Sequence, residues 1–99
     1  MIAFTRTAAI APGKNAGAMA FSQEVCAHIK DKHGIKVDVS IPVGGNPNRI
    51  AWRATYASLA EFETSFGALM TDQAYAAMLA KAADLFSPGS VHDEIWQSV

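Results

Sequence analysis

The chain has 99 residues and a formal net charge of −1 at pH 7; hydrophobic residues make up 51% of it and charged residues 17%. This length fits a single domain over residues 1–99, because a second core would leave each half too small to be stable. The near-zero charge excludes the basic field that recruits nucleic acid or acidic membranes. A small domain needs polar residues to cover its surface, so the high apolar content predicts that some apolar surface meets a partner.

The opening residues predict neither export nor a membrane span. Arg6 and the Pro12-Gly13 pair interrupt the apolar stretch before a signal-peptide core could form. No run approaches the roughly 20 apolar residues of a spanning helix. We therefore expect a cytoplasmic protein with no membrane partner. The single cysteine, Cys26, cannot form an intramolecular disulfide and lies in a helical pattern, where a buried inert thiol is the usual outcome.

The hydrophobic period changes repeatedly along the first half of the chain and predicts alternating strands and helices. Alternation over residues 2–10 predicts a strand whose apolar face is interrupted by Arg6. Residues 15–33 carry apolar side chains at helical spacing, and Gly34 is a natural C-terminal stop. Residues 35–43 alternate without a fault, which predicts a half-buried strand.

A glycine- and asparagine-rich stretch separates that strand from the next one, which is predicted over residues 49–56. Gly44 and Gly45 raise the question of a phosphate-binding loop. Such a loop aims its amides at the ligand from a helix N-terminus, whereas here a strand follows. The two glycines therefore supply positive backbone angles for the turn of a hairpin.

The second half of the chain predicts two helical segments and a last strand. Ser58 and Glu61 have the spacing of a capping box, and Asp72 caps a further segment that ends at residues 87–89. Residues 91–99 form the last strand. The order is that of an α+β ferredoxin-like fold, βαββαβ with the second helical segment split in two. Its four-stranded antiparallel sheet has one bare face, which a second copy would cover.

The chain resembles the dimeric α+β barrel superfamily, and within it the NIPSNAP-like proteins. The stretches that carry the resemblance are residues 44–63, 69–75 and 86–99, together with Pro-Gly-Lys at 12–14. The resemblance implies that two bare sheet faces pair into a dimeric α+β barrel, and hence a homodimer. It implies little about chemistry, because the superfamily includes cofactor-free oxygenases, isomerases, haem enzymes and proteins of unknown role.

Polar side chains on the strands are the first candidates for a functional site, because buried charges require partners. On one interpretation, Arg53 pairs with Asp38 or Glu94 across the sheet and helps to fix the dimer register. On the other, Arg6 or Arg53 binds an anionic or carbonyl oxygen of a small ligand. His92 shares a face of the last strand with Glu94 and is a further candidate.

The three histidines predict no metal site. His28 and His33 are five residues apart, about 140° around a helix, and His92 belongs to a distant strand. No HxH, HxxxH or CxxC spacing is present. His33 is most simply a solvated residue at a helix end, where its charged form suits the helix dipole. His28 could face a pocket or solvent. We expect no metal and no other cofactor.

Two functions remain open, and with them the question of whether the chain is an enzyme. In the first, a small hydrophobic ligand, aromatic or quinone-like, is bound or transformed between sheet and helices, with an activity like that of a cofactor-free monooxygenase. Arg53 and His92 would orient it. The predicted wall is apolar: Phe4, Trp52, Phe66, Tyr75, Met78 and Phe86. In the second, these side chains are plain core, and the homodimer is a non-enzymatic structural or protein-interaction protein.

Overall fold

The structure is a computed structural model that describes residues 1–99, and it consists of one open sheet with three helices. In chain order the elements are β1 (Ile2–Ala9), α1 (Asn15–His33), β2 (Asp38–Ser40), β3 (Arg49–Tyr56), α2 (Leu59–Met70), α3 (Gln73–Lys81) and β4 (His92–Gln97), with a 3₁₀ turn over Ala83–Leu85. The sheet is antiparallel throughout, in the order β2-β3-β1-β4. The predicted α+β ferredoxin-like arrangement is confirmed.

Strand alternation divides the sheet into a covered face and an open face. On the covered face, Trp52 of β3 donates its indole N–H to Ser22 of α1 at 3.0 Å. Phe4 of β1 stacks on Phe62 of α2, with ring centroids 5.6 Å apart. No helix lies against the opposite side, which we call the open face. The open face is formed by alternate residues of the four strands: Ala3, Thr5, Thr7, Ala9, Asp38, Ser40, Arg49, Ala51, Arg53, Thr55, His92, Glu94 and Trp96.

The helix ends follow the local signals of the sequence. The Ser58 hydroxyl accepts a hydrogen bond from the Glu61 N–H at 3.2 Å, and the Glu61 carboxylate accepts one from the Ala57 N–H at 3.2 Å. The predicted capping box is therefore present, with its return bond one residue earlier than in the usual pattern. Gly34 ends α1 in the left-handed conformation at φ 69°, as predicted.

The strand predicted over residues 35–43 is much shorter in the structure. β2 lies at an edge of the sheet and pairs with β3 at three positions only. Val39 packs against the core as predicted, but Ile41 is 62% exposed and Val43 is fully exposed. Pro42 between them has no N–H to donate to a ladder. The half-buried strand predicted over residues 35–43, with Ile41 and Val43 on its apolar side, is therefore wrong at these two residues.

The core is small and lies between the covered face and the helices. Thirteen of the 99 residues are buried, which fits a sheet with only one covered face. Two clusters make up much of the core: Ile10 with Ala18 and Ile50, and Val25 with Ile29 and Tyr75. The predicted apolar stripe of α1 is thereby confirmed. None of the three helices is both long enough and apolar enough to cross a membrane.

Candidate functional site

A cavity of about 360 Å³ lies between the covered face and the helices. Of the 25 residues that line it, 19 are hydrophobic, so it offers an apolar environment. Five of the six predicted wall residues line it: Phe4, Trp52, Phe66, Tyr75 and Phe86. The exception is Met78, which packs instead against the apolar cluster of Val25, Ile29 and Tyr75. The predicted space between sheet and helices therefore exists.

Aromatic rings form two sides of this cavity. Phe66 lies 6.1 Å from Phe4 between ring centroids, at the end where α2 covers β1. Trp52 and Phe86 meet edge to face at 5.5 Å on another side. Aromatic rings attract one another in stacked or edge-to-face geometries. The wall is therefore suited to a flat ring.

One charged side chain faces the cavity from this apolar wall, that of Arg6, and it is paired with Asp93. Arg6 donates from Nε to Asp93 Oδ1 at 2.7 Å and from Nη2 to Oδ2 at 2.8 Å. The two residues are opposite one another because β1 and β4 pair in that register. The bond to Asp93 raises the pKa of Arg6, and Arg6 holds the pKa of Asp93 below its ordinary value. A guanidinium has five N–H donors, so three remain that Asp93 does not use.

Tyr75 is another polar group of the cavity, whose lining also includes Tyr56, Ser65 and Ser87. Burial raises the pKa of its hydroxyl, against the smaller lowering effect of the Arg6 charge. The hydroxyl therefore stays protonated at neutral pH and can donate a hydrogen bond. Burial also raises the pKa of Cys26, which lines the same space. Since the thiolate is the reactive form of cysteine, Cys26 is a poor nucleophile here.

The structure brings together three of the five residues predicted to bind a ligand. Phe66, Trp52 and Tyr75 all line the cavity. Arg53 also borders the cavity, because it lies on β3 between the lining residues Trp52 and Ala54. Strand alternation nevertheless directs its side chain to the open face. His92 does not line the cavity and is exposed on the open face. Arg6, the other arginine considered, faces the cavity.

The open face carries its own polar groups. His92 Nε2 lies 3.1 Å from one Glu94 carboxylate oxygen, and the Trp96 indole N–H donates to the other at 3.0 Å. Arg53 is opposite Asp38 in register, yet it forms no ion pair with Asp38 or with Glu94. The predicted cross-sheet ion pair is therefore wrong within a single chain.

A second polar cluster, which we call the α1–α3 cluster, joins the end of α1 to the start of α3. The Asp72 side chain is only 1% exposed, and its Oδ2 lies 2.7 Å from His28 Nε2 and 2.8 Å from His33 Nε2. Its Oδ1 accepts a hydrogen bond from the Tyr75 N–H at 3.1 Å, so Asp72 caps α3 as predicted. The same Oδ1 lies 3.4 Å from Lys32 Nζ. The bonds from His33 and His28 hold the pKa of Asp72 well below its usual range.

Nothing in the residue spacing signals the α1–α3 cluster. The prediction of a solvated His33 is wrong, because its side chain is 11% exposed and lies against Asp72. His28 faces the same carboxylate rather than the cavity or open solvent. The two imidazoles leave α1 in different directions, but both reach the Asp72 carboxylate at the start of α3. Only the packing of α3 on α1 brings that carboxylate between them.

The chain matches no protein-family model and no curated protein sequence. Solved structures do share its fold. A NIPSNAP family protein with unknown function from Agrobacterium tumefaciens is 19% identical, with a TM-score of 0.82 over 99% of this chain and 87% of that one. An uncharacterized NIPSNAP domain protein from Burkholderia xenovorans is 14% identical, with a TM-score of 0.84 over 100% and 95% of the two chains.

A third structure extends the likeness beyond the NIPSNAP proteins. It is a candidate antibiotic biosynthesis monooxygenase from Deinococcus radiodurans, 9% identical, with a TM-score of 0.76 over 100% of this chain and 93% of that one. At such identities the likeness is one of fold. The predicted resemblance is confirmed at that level: the chain has the α+β fold shared by NIPSNAP family proteins and antibiotic biosynthesis monooxygenase-like proteins.

Proposed function

We propose that the chain binds a small aromatic ligand, such as a quinone or a phenol, in the cavity between sheet and helices. The observation that carries the proposal is a cavity of about 360 Å³ whose largely apolar wall includes the polar side chains of Arg6 and Tyr75. Small-molecule sites are typically apolar clefts of a few hundred Å³ with a small number of well-placed polar groups. The aromatic wall favours a flat ring, and the two polar side chains favour an oxygen on it.

The orienting groups in this proposal are Arg6 and Tyr75, rather than Arg53 and His92. The three Arg6 donors not used by Asp93 can reach a ligand oxygen, and the protonated Tyr75 hydroxyl can donate to the same atom. A phenolate or a carbonyl oxygen satisfies both donors. A purely aliphatic ligand would leave them without partners, at a cost in free energy.

The enzymatic form of this proposal is an activity like that of a cofactor-free monooxygenase. Arg6 would stabilise a bound phenolate, which gives up electrons to dioxygen more readily than the neutral phenol does. A solved structure with the same fold is a candidate antibiotic biosynthesis monooxygenase. The likeness is one of fold, and the enzymatic form is argued from the cavity and its Arg6 donors.

A homodimer through the open face belongs to the same proposal. The open face has no covering element, and its Trp96 is 63% exposed. Burial of such a side chain against a second copy would remove a large apolar area from water. The alternative function, a non-enzymatic homodimer that presents a surface to another protein, uses the same pairing and leaves the cavity without a ligand.

Native mass spectrometry of the freshly purified protein tests the binding proposal, because it reports the assembly and any retained molecule together. We expect a dimer that carries a discrete extra mass, or one that takes up added 1-naphthol. The matched variant is Cys26→Phe, which places a ring in the cavity from α1 and should lose the ligand while it keeps the dimer. A folded wild-type dimer that takes up neither compound would contradict the proposal.

Oxygen consumption with 1-naphthol or a hydroquinone tests turnover. We expect Arg6→Gln to slow it by roughly tenfold or more, the scale of one lost hydrogen bond to a charged group. The control is Asp93→Asn, which keeps the Arg6 charge in the cavity. Ligand uptake with no oxygen consumption would support a binding protein and contradict the enzymatic form alone.

A further inference from the structure

We propose that the α1–α3 cluster, His28 with His33 and Asp72, is a binding site for a divalent transition-metal cation. The two Nε2 atoms and the carboxylate oxygen all lie within 4.8 Å of one another. None of the three residues lines the cavity. The inference therefore stands independently of the proposed function.

The three ligating atoms already lie close enough to surround a cation after side-chain adjustments of roughly an ångström. Zinc is bound at roughly 2.0–2.2 Å by nitrogen and oxygen, so tetrahedral ligand atoms stand about 3.4 Å apart. The present distances from Asp72 Oδ2 to the two Nε2 atoms are 2.7 Å and 2.8 Å. Each would lengthen by about 0.6–0.7 Å, and the two Nε2 atoms, now up to 4.8 Å apart, would approach by up to about 1.4 Å, which side-chain rotations can supply.

The donor set matches the cation class. Two imidazoles and one carboxylate suit zinc and its first-row neighbours, and three protein ligands leave a fourth position for water. Each neutral imidazole would give the lone pair of Nε2 to the cation and keep its one proton at Nδ1. Asp72 Oδ1 would keep the bond from the Tyr75 N–H, which holds the carboxylate in place.

Burial supplies a reason for a cation at this point. The Asp72 carboxylate is almost fully withdrawn from water, and a buried negative charge needs compensation. Without a metal, the bonds from His28 and His33 and the half-exposed Lys32 ammonium at 3.4 Å stabilise that charge; a cation would take the place of the two imidazole N–H groups. His33 lies in the C-terminal turn of α1, where the helix dipole favours positive charge, while Asp72 is the N-cap of α3, where the dipole favours its ionised carboxylate.

Lys32 gives the inference a distinctive consequence. Its ammonium lies beside the same carboxylate and would repel an incoming cation. We expect Lys32→Met to strengthen cation binding, although it removes a favourable partner of Asp72. If the cluster only held the two helices together, Lys32→Met would not increase its affinity for a cation.

The experiment is a zinc titration of the full chain, with any affinity tag removed, against a chromophoric chelator. We expect one zinc per chain, and binding at least about tenfold weaker in His28→Gln and in His33→Gln. The matched control is His92→Gln, because His92 also faces a carboxylate, but as an exposed pair on the open face. Cobalt(II) should give the intense visible absorption of a four-coordinate ion in the wild type and not in His33→Gln.

Several outcomes would overturn the inference: no zinc binding by the wild type, equal binding by the His28 and His33 variants, or loss of binding in His92→Gln. Zinc should also raise the melting temperature of the wild type more than that of His33→Gln, since a ligand stabilises the state that binds it. If a histidine variant fails to fold, Lys32→Met still tests whether the cluster binds zinc, because it keeps all three ligands. Unchanged zinc affinity in that variant would contradict the site.

Discussion

Arg6 interrupts a row of apolar side chains on β1, and the structure gives it a partner on the neighbouring strand. Its pair with Asp93 is bidentate, but the two side chains are 26% and 38% exposed. Ion pairs that reach solvent contribute little to the free energy of unfolding. The pair has the bidentate geometry in which an exposed ion pair can still contribute, and a ligand for the remaining Arg6 donors is part of the proposed function.

The pair nevertheless makes stability depend on pH. Because Arg6 lowers the pKa of Asp93 in the folded chain, the carboxylate favours the folded state above its unfolded pKa of about 3.9. This contribution is lost as the pH falls through the lower folded value. We expect the urea midpoint to fall less between pH 6 and about pH 2.5 in Asp93→Asn than in the wild type.

The control for that measurement is Asp31→Asn, since Asp31 is exposed on α1 and forms no ion pair. It should lose stability with falling pH as the wild type does. Identical pH profiles for the Asp93 variant and the wild type would show that the pair has no energetic role.

A single sequence identifies some residues of the cavity but not the face of the sheet that the helices cover. Arg6 is visible as a break in an apolar alternation, and the cavity residues Trp52 and Tyr75 are visible as large aromatics. Arg53 follows Trp52 directly on one strand, so alternation alone excludes a site that uses both side chains on one face. Which of the two faces the helices cover depends on tertiary packing, and no local signal gives it.

Helix ends are the elements that the sequence predicts best, because their signals are local. Gly34, Ser58 and Asp72 each act within a few residues of chain, and each lies where predicted. The length of β2 depends instead on what an edge strand can pair with. The α1–α3 cluster depends on contacts across 39 and 44 residues. Neither the length of β2 nor the α1–α3 cluster could be derived from the spacing of residues along the chain.

Two glycines in different settings test the account of the helices. Gly67 lies within α2, where an added Cβ would meet no atom within 4 Å. Gly67→Ala should therefore raise the free energy of unfolding by about 0.5–1 kcal/mol. Gly34→Ala should lower it by about 1–2 kcal/mol, because φ is 69° there. Urea unfolding of both variants measures this, and a stabilised Gly34 variant would contradict the helix-end assignment.

The whole molecule is a sheet with helices on one side only. The order of strands and helices predicted this architecture, because a βαββαβ order has few compact solutions. The same order gives the reason to expect a partner, since the open face would otherwise leave Trp96 in water. Pairing of two copies remains a prediction.

A charge on the open face tests that pairing. Ala51 lies on β3, opposite Thr7 and Ser40. Ala51→Glu would bury an unpaired charge in the interface, so we expect a monomer at micromolar concentration by sedimentation velocity. Ala77→Glu, on an exposed position of α3, should remain a dimer. A wild-type monomer, or a dimer that tolerates Ala51→Glu, would contradict pairing through this face.

The most direct test of ligand binding uses the two tryptophans, since Trp52 lines the cavity and Trp96 lies on the open face. The measurement is fluorescence quenching by 1,4-naphthoquinone in Trp96→Phe, where Trp52 is the only reporter. We expect saturable quenching with a Kd of roughly tens of micromolar, weakened about tenfold by Arg6→Gln. Trp52→Phe should show only weak, linear quenching. Equal linear quenching in both single-tryptophan proteins would contradict a ligand site in the cavity.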